Sequence, residues 1–322
     1  MTIDAIREFI ADDLRAVDEV IRHRLQSEVV LIRQIADYII GGGGKRLRPA
    51  LLILSARACG YEGRHHHELA AVVEFIHTAT LLHDDVVDES GLRRGKATAN
   101  AMFGNAAAVL VGDFVYSRAF QMMVGVENMK VLRVLADATN VIAEGEVLQL
   151  MNCRNPDLDE KGYLQVIRYK TAKLFEAATR LGAILAGAGD EIEEAMAAYG
   201  AHLGTAFQLI DDVLDYSGDH AVIGKNVGDD LAEGKTTLPL IYAMQHGTVE
   251  QAQLVRRAIQ HGGLEELNVV LDAIRASGAL EYARAQARAE SRTACDAIDA
   301  LPRSNARDFL LQLADFAVTR TF

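Results

Sequence analysis

Two stretches of the chain, His77 to Asp88 (HTATLLHDDVVD) and Gly204 to Asp215 (GTAFQLIDDVLD), agree at seven of twelve positions, and both end in Asp-Asp-x-x-Asp. On a helix, Asp84 and Asp88 stand one turn apart on one face, as do Asp211 and Asp215. Asp85 and Asp212 complete the two triplets. Each copy therefore reads as an apolar helix whose last turn gathers negative charge. The helix dipole opposes that placement by ~0.3–1 kcal/mol per exposed acid. Two such clusters facing one another would repel unless a multiply charged cation sat between them. Mg²⁺ is usually held by one or two carboxylates, with water and substrate phosphates in its other positions. A solvated acidic helix end is the plain alternative for one copy alone; two copies with matched flanks favour a metal site. An EF-hand does not fit, because the stretch from Asp84 to Gly95 lacks alternating ligands and does not close on Glu.

Basic residues are placed where an anion would explain them. Gly41 to Gly44 precede Lys45, Arg46, Arg48 and Pro49, and cations at a helix start are unfavourable without an anionic ligand. A basic surface turn is the alternative. The stretch is not a Walker loop, since Ile39 and Arg46 occupy positions that need Gly and Ser or Thr, and no register completes a dinucleotide fingerprint. Arg93 and Arg94 follow the first acidic cluster, and their planar heads suit diphosphate oxygens. Lys170 with Thr171 and Lys173 offers a similar possibility. Lys225 lies within, and Lys235 just after, a glycine-rich segment, Ser217 to Gly234, that reads as a mobile lid. His77 shares the face of Asp84 two turns away, and Gln208 that of Asp211. His65 to His67 could hold a metal, but a polar turn between helices is the expectation. Met122 and Met123 read first as core filler.

The elements that must position these residues are helices. Half of the 322 residues are hydrophobic, and there are 4 prolines and no tryptophan. Helix periodicity runs from Ile3 to Leu25, and apolar helices are expected at Glu68 to Asp88, 106–126, 129–151, 160–188, 190–216 and 235–247. Helices apolar around most of their circumference belong inside a large bundle. One all-α domain spanning 1–322 is the expected architecture. The net charge of −12 excludes a general nucleic-acid binder. Cys59, Cys153 and Cys295 have no metal-ligand spacing and are expected as reduced thiols. No export signal and no run of ~20 apolar residues is visible, so a cytoplasmic protein is expected.

From Ile32 to Pro239 these motifs, in this order, resemble the trans-isoprenyl diphosphate synthases, the polyprenyl synthetase family. The resemblance rests on Gly43 to Pro49, Asp84 to Asp88 with Arg93 and Arg94, Lys170-Thr171, and Gln208 with Asp211 to Asp215. It continues through Gly224 to Asp230 and Glu233 to Pro239. Glu74 to Gly112 is most similar to octaprenyl-type members, which make quinone side chains. The resemblance implies an all-α fold with a central substrate cavity and a homodimer. It implies chain elongation of an allylic diphosphate, expected to be farnesyl diphosphate, by repeated head-to-tail condensation with isopentenyl diphosphate. It also implies three Mg²⁺ ions on Asp84, Asp88 and Asp211. The other acids, Asp85, Asp212 and Asp215, join the catalytic set with Lys170 and Lys225. Arg93, Lys170, Thr171, Gln208, Lys225 and Lys235 would surround the allylic diphosphate. Lys45, Arg48, His77 and Arg94 would hold isopentenyl diphosphate. No side-chain base is nominated, because the released diphosphate is expected to take the proton.

Product length would follow from the space along the helix before Asp84. Ala79 and Thr80 are small where early-stopping members carry aromatic rings, and Ile76 lies a turn deeper. From Asp84 back to Leu69 is ~22 Å at 1.5 Å per residue, room for a long tail. Met122 or Met123 is the expected floor. The alternatives are a short-chain synthase, disfavoured by Ala79 and Thr80; an inactive regulatory subunit, which would be expected to have lost some of these acids or cations; and a class I terpene cyclase, which does not need a second diphosphate site.

Overall fold

The computed structural model describes residues 3–41, 46–93, 95–217 and 227–320, apart from the side chains at 3, 40, 41 and 264. Lys45, Arg94 and Lys225 fall outside the described residues, as do Gly43, Gly44, Gly224 and Asn226. The chain is all-α; among the described residues its only strands are two of two residues each. It divides into two compact units. One comprises Met1–Thr139, Leu174–Gly200 and Ala297–Leu313, the other Asn140–Lys173, Ala201–Asp296 and Ala314–Phe322.

The first unit begins with α1 (Ile3–Phe9) and α2 (Ala11–Arg24), then α3 (Val30–Gly41) and α4 (Leu47–Ala58). The single amphipathic helix expected from Ile3 to Leu25 is thus broken, at Ile10, whose φ of −110° and ψ of 22° are non-helical. Pro49 sits in the first turn of α4, where its missing N–H leaves no bond unmade. The central helix α5 runs His65–Val87. It starts earlier than the periodicity predicts: His65 to His67 form its first turn and not a polar connection, because Asp13 of α2 draws His66 and His67 inward. From Leu69 to Ile76 every residue of α5 is buried, as its apolar circumference demands.

The connection from Glu89 to Asn105 carries a hairpin, β1 (Leu92–Arg93) against β2 (Lys96–Ala97), and a short helix α6 (Ala99–Phe103) capped by Thr98. Helix α7 (Asn105–Gly125) then packs on α5. They meet at Gly112, where a Cβ would lie 2.4 Å from His83 Nε2, so a larger residue there would have to turn that ring aside. His83 lies near the end of α5 and Gly112 near the start of α7; two long helices in contact along their lengths must therefore run antiparallel. Met122 and Met123 then lie ~15–16 Å farther along α7 from Gly112, and both are buried. A second glycine, Gly182, lets the 174–185 segment meet α4, since a Cβ there would be 2.5 Å from Ser55 Cβ.

The second unit holds the C-terminal part of α8 (Met129–Asn152), then α9 (Glu160–Ile167) and a π turn at Arg168–Ala172 that leads into α10 (Lys173–Leu185). The helix expected over 160–188 is thus present but locally widened. The unit continues with residues 201–217 of α11 (Asp190–Ser217), α12 (Asp229–Ala232), α13 (Leu238–His246), α14 (Val249–His261), α15 (Leu267–Ser277) and α16 (Ala279–Ala297). Part of α17 (Asn305–Thr319) completes it. The helix expected from 235 starts at Leu238, because Lys235 to Thr237 are not helical. Of the expected lid, 218–226 lie outside the described residues and Asp229–Ala232 forms a single helical turn. Leu209, Val213, Leu240, Ile241, Val255 and Ile274 centre the core of this unit. A Thr248–Gln251 capping box opens α14. Among the described residues no helix is long and apolar enough to cross a membrane.

Candidate active site

In the first unit the acidic cluster occupies the last turn of α5. The Asp88 N–H donates to Asp84 C=O at 2.8 Å, so the turn is closed and both side chains share a face. Half-buried residues on that face form a stripe at helical spacing: His77, Thr80, Leu81, Asp84 and Asp88. Ala79, Leu82 and Asp85 point elsewhere and are buried. Asp85 is structural in this arrangement. Its Oδ1 accepts from Arg93 Nε at 2.9 Å and Nη2 at 2.6 Å, and its carbonyl accepts from Asn100 Nδ2 at 3.0 Å. The hairpin register Arg93↔Lys96 sets that guanidinium in place. Thus Arg93 lies beside the cluster, bound to its middle acid.

Arg48 projects from the first turn of α4, its guanidinium 4.7 Å from the centre of the Phe175 ring. Entry into α4 is set by Arg46, which adopts a left-handed φ of 50°, a conformation that costs roughly 1–2 kcal/mol. Glu74 of α5, at 2.5 Å, and Asp18 of α2, at 3.6 Å, hold it there. Sequence reading counted Arg46 among the cations awaiting an anionic ligand, whereas here it pairs with Glu74 and Asp18. Glu74 itself had no expected role, and its signal was an acid on an otherwise apolar helix.

The second cluster lies on α11. Asp212 is buried and accepts from Tyr163 Oη at 2.5 Å and Gln208 Nε2 at 2.8 Å. Gln208 Oε1 accepts in turn from Thr171 Oγ1 at 3.0 Å. Burial, and next the charge of Asp230, push the Asp212 carboxyl up to about 8. Burial, then the charge of Asp212, likewise keeps Tyr163 protonated. Asp211 pairs with Arg320 at 2.6 Å. The Arg320 guanidinium lies 3.8 Å from the centre of the Phe207 ring and donates to the Phe207 carbonyl at 2.8 Å. Asp215 accepts at its carbonyl from the Gly228 N–H at 3.0 Å, tying α11 to the start of α12.

Lys170 and Thr171 both sit in the π turn, a widening common at functional positions. Lys170 Nζ donates to Glu146 Oε2 of α8 at 2.6 Å. Gly145 makes this possible: a Cβ there would lie 2.6 Å from the Lys170 nitrogen. Lys235 pairs with Glu233 at 2.5 Å, and its N–H donates to Asp230 C=O at 2.8 Å. Tyr163, Glu146 and Arg320 were not found by sequence reading, because their partners are distant in the chain.

Both clusters offer carboxylate oxygens, the donors of a hard divalent cation. Acids at a helix end, together with multi-donor cations, are the equipment for ionising a diphosphate ester. The polyprenyl synthetase family model matches residues 29–276, and the chain belongs to that family. Over 321 residues it is 57% identical to octaprenyl diphosphate synthase of Escherichia coli (strain K12), covering 99% of each chain. It is 48% identical over 312 residues to the all-trans-nonaprenyl-diphosphate synthase (geranyl-diphosphate specific) of Rhodobacter capsulatus, covering 97% of this chain and 96% of that one. The structure of polyprenyl synthase from Caulobacter crescentus CB15, complexed with calcium and isoprenyl diphosphate, superposes with a TM-score of 0.96 at 45% identity, covering 100% and 98% of the two chains. The protein is a prenyltransferase that builds long-chain all-trans prenyl diphosphates.

Proposed function

We propose that the chain makes octaprenyl diphosphate for quinone side chains, in the cytoplasm, by extending farnesyl diphosphate with isopentenyl diphosphate. The observation carrying this reading is the half-buried stripe of α5. Asp84 and Asp88 sit at its end, Thr80 presents no ring below them, and the helix continues buried to Leu69. The identity to the E. coli octaprenyl enzyme supports the same product.

Asp84, Asp88 and Asp211 would hold three Mg²⁺ ions, which neutralise charge on the departing diphosphate. Lys170, Lys235 and Lys225 orient the allylic diphosphate, together with Arg93. Lys170 and Lys235 then exchange Glu146 and Glu233 for phosphate oxygens. Thr171 and Gln208 bind one another and Asp212, which supports a role in fixing the second acidic turn as well as in contacting diphosphate. Arg48, His77, Lys45 and Arg94 align isopentenyl diphosphate for attack, and this alignment replaces a bimolecular encounter with a positioned one. The chain acts as one domain, 1–322, a reading supported by boundaries between its units that fall inside α8, α11 and α17. It pairs as a homodimer, supported by exposed Leu110 and Val124 on α7 and Leu150 and Met151 on α8.

The test is incubation with Mg²⁺, farnesyl diphosphate and labelled isopentenyl diphosphate, followed by sizing of the dephosphorylated products. Octaprenol is expected; a product stopping at geranylgeraniol would overturn the assignment. Asp84→Ala should lose turnover while keeping the wild-type helical signal, and near-normal activity would refute the role of this acid.

A further inference from the structure

The first turn of α5 directs two imidazoles at one carboxylate of α2. His67 Nε2 lies 3.0 Å and His66 Nε2 3.3 Å from Asp13 Oδ1. The three atoms fall within 4.8 Å of one another, and the ring centroids are 4.0 Å apart. A carboxylate only accepts, so both Nε2 atoms carry hydrogens. Burial alone would raise the Asp13 carboxyl, but the two imidazole bonds and the Arg57 guanidinium outweigh it and hold the group far below the usual range. Asp13 is therefore an anion, although it is 6% exposed. Asp13 Oδ2 is held by the Arg57 guanidinium, 2.5 Å from its Nη2. One buried atom of the cluster, His66 Nδ1, has no hydrogen-bond partner.

We propose that Asp13, His66 and His67 form a binding site for a borderline divalent transition ion of the Zn²⁺ type. Two nitrogens and one oxygen suit such an ion and not Mg²⁺ or Ca²⁺. Tetrahedral bonds of ~2.0–2.1 Å place neighbouring ligand atoms about 3.3 Å apart, close to the two separations here. The carboxylate is already divided as a ligating group requires, with Oδ1 toward the imidazoles and Oδ2 toward an outer cation. For neutral imidazoles binding balances without release of a proton, and an imidazolium would give up one. Each Nε2 gives its lone pair to the ion as the ring hydrogen moves to Nδ1, and in His66 that nitrogen has no competing bond to break. Arg57 cancels the charge of Asp13, so the ion adds uncompensated positive charge. The affinity is accordingly weaker than that of a structural zinc site. An ion here clips α2 to α5, a task that the two N–H bonds perform without it.

The test uses the full chain, titrated with CoCl₂ in excess Mg²⁺ so that the oxygen-only clusters are occupied. Wild type should develop the strong visible absorbance of four-coordinate Co²⁺, about one equivalent per chain, lost on adding ZnCl₂. His67→Ala and His67→Gln should each weaken the affinity by at least the ~10–100-fold expected for loss of an outer-shell partner. His65→Ala, at an exposed neighbour outside the cluster, should leave it unchanged. No four-coordinate signal in wild type, or one that survives both His67 variants or disappears with His65→Ala, would overturn the proposal. The wild-type result decides even where a variant folds poorly. None of these readouts involves turnover, so failure of this site and failure of the octaprenyl assignment are distinguishable.

Discussion

Thr80→Phe tests how product length is set. Thr80 lies one turn before Asp84, about 6 Å along the axis, whereas Leu69 lies ~22 Å away. It belongs to the half-buried stripe that includes Asp84, while neighbouring Ala79 is fully buried. A benzyl group at Thr80 therefore meets the tail in roughly the first quarter of its course. Ala79→Phe must instead displace packed atoms, at about 1–3 kcal/mol for overpacking. The cost of Thr80→Phe is smaller, since Thr80 Oγ1 donates only to the His77 carbonyl at 2.9 Å, a bond worth ~0.5–1.5 kcal/mol. The melting temperature should fall by a few degrees at most. With a short allylic primer and labelled isopentenyl diphosphate, products of Thr80→Phe should collapse to a few isoprene units. Chain sizing by reversed-phase chromatography reads this directly. A wild-type length distribution from a normally folded variant would refute the placement of the tail along this stripe.

Gly145→Ala should lower turnover by tenfold or more while preserving helix content, because its Cβ displaces the Lys170 backbone; steady-state kinetics with circular dichroism checks this. Tyr163→Phe removes the hydroxyl bonded to buried Asp212 and should cost about 1–3 kcal/mol, measured by urea denaturation. Asp212 also makes a pH prediction for the metal-free protein. Its carboxyl is raised from 3.8 to about 8 in the folded chain. The folded state thus holds a proton that the unfolded state releases above about 3.8. Its contribution to stability is fully present below 3.8 and is lost as the pH rises toward 8. Asp212→Asn should flatten that part of the stability–pH curve, and an unchanged slope would show that Asp212 does not hold the proton.

The two acidic turns were readable because acids at helical spacing inside apolar runs contradict both burial and the helix dipole. The all-α class was readable for the complementary reason, sustained apolar periodicity with few breakers. Other features depend on partners that local sequence does not reveal. Tyr163 meets Asp212 49 residues away, and Lys170 meets Glu146 24 residues away. The π turn has no distinctive composition, and Gly145, which leaves room for its backbone, lies 23 or more residues before it. His65 to His67 read as a polar turn only until Asp13, 53 positions before His66, is placed beside them. The break at Ile10 is likewise invisible to a pattern that continues through it.

Arg320 gives the second acidic turn an internal counter-ion. Its guanidinium is anchored on the Phe207 ring and carbonyl while it neutralises Asp211. A divalent ion held at Asp211, as proposed, would therefore exchange one positive group for another. The net gain would be only the difference between two attractions, smaller than at a carboxylate with no counter-ion.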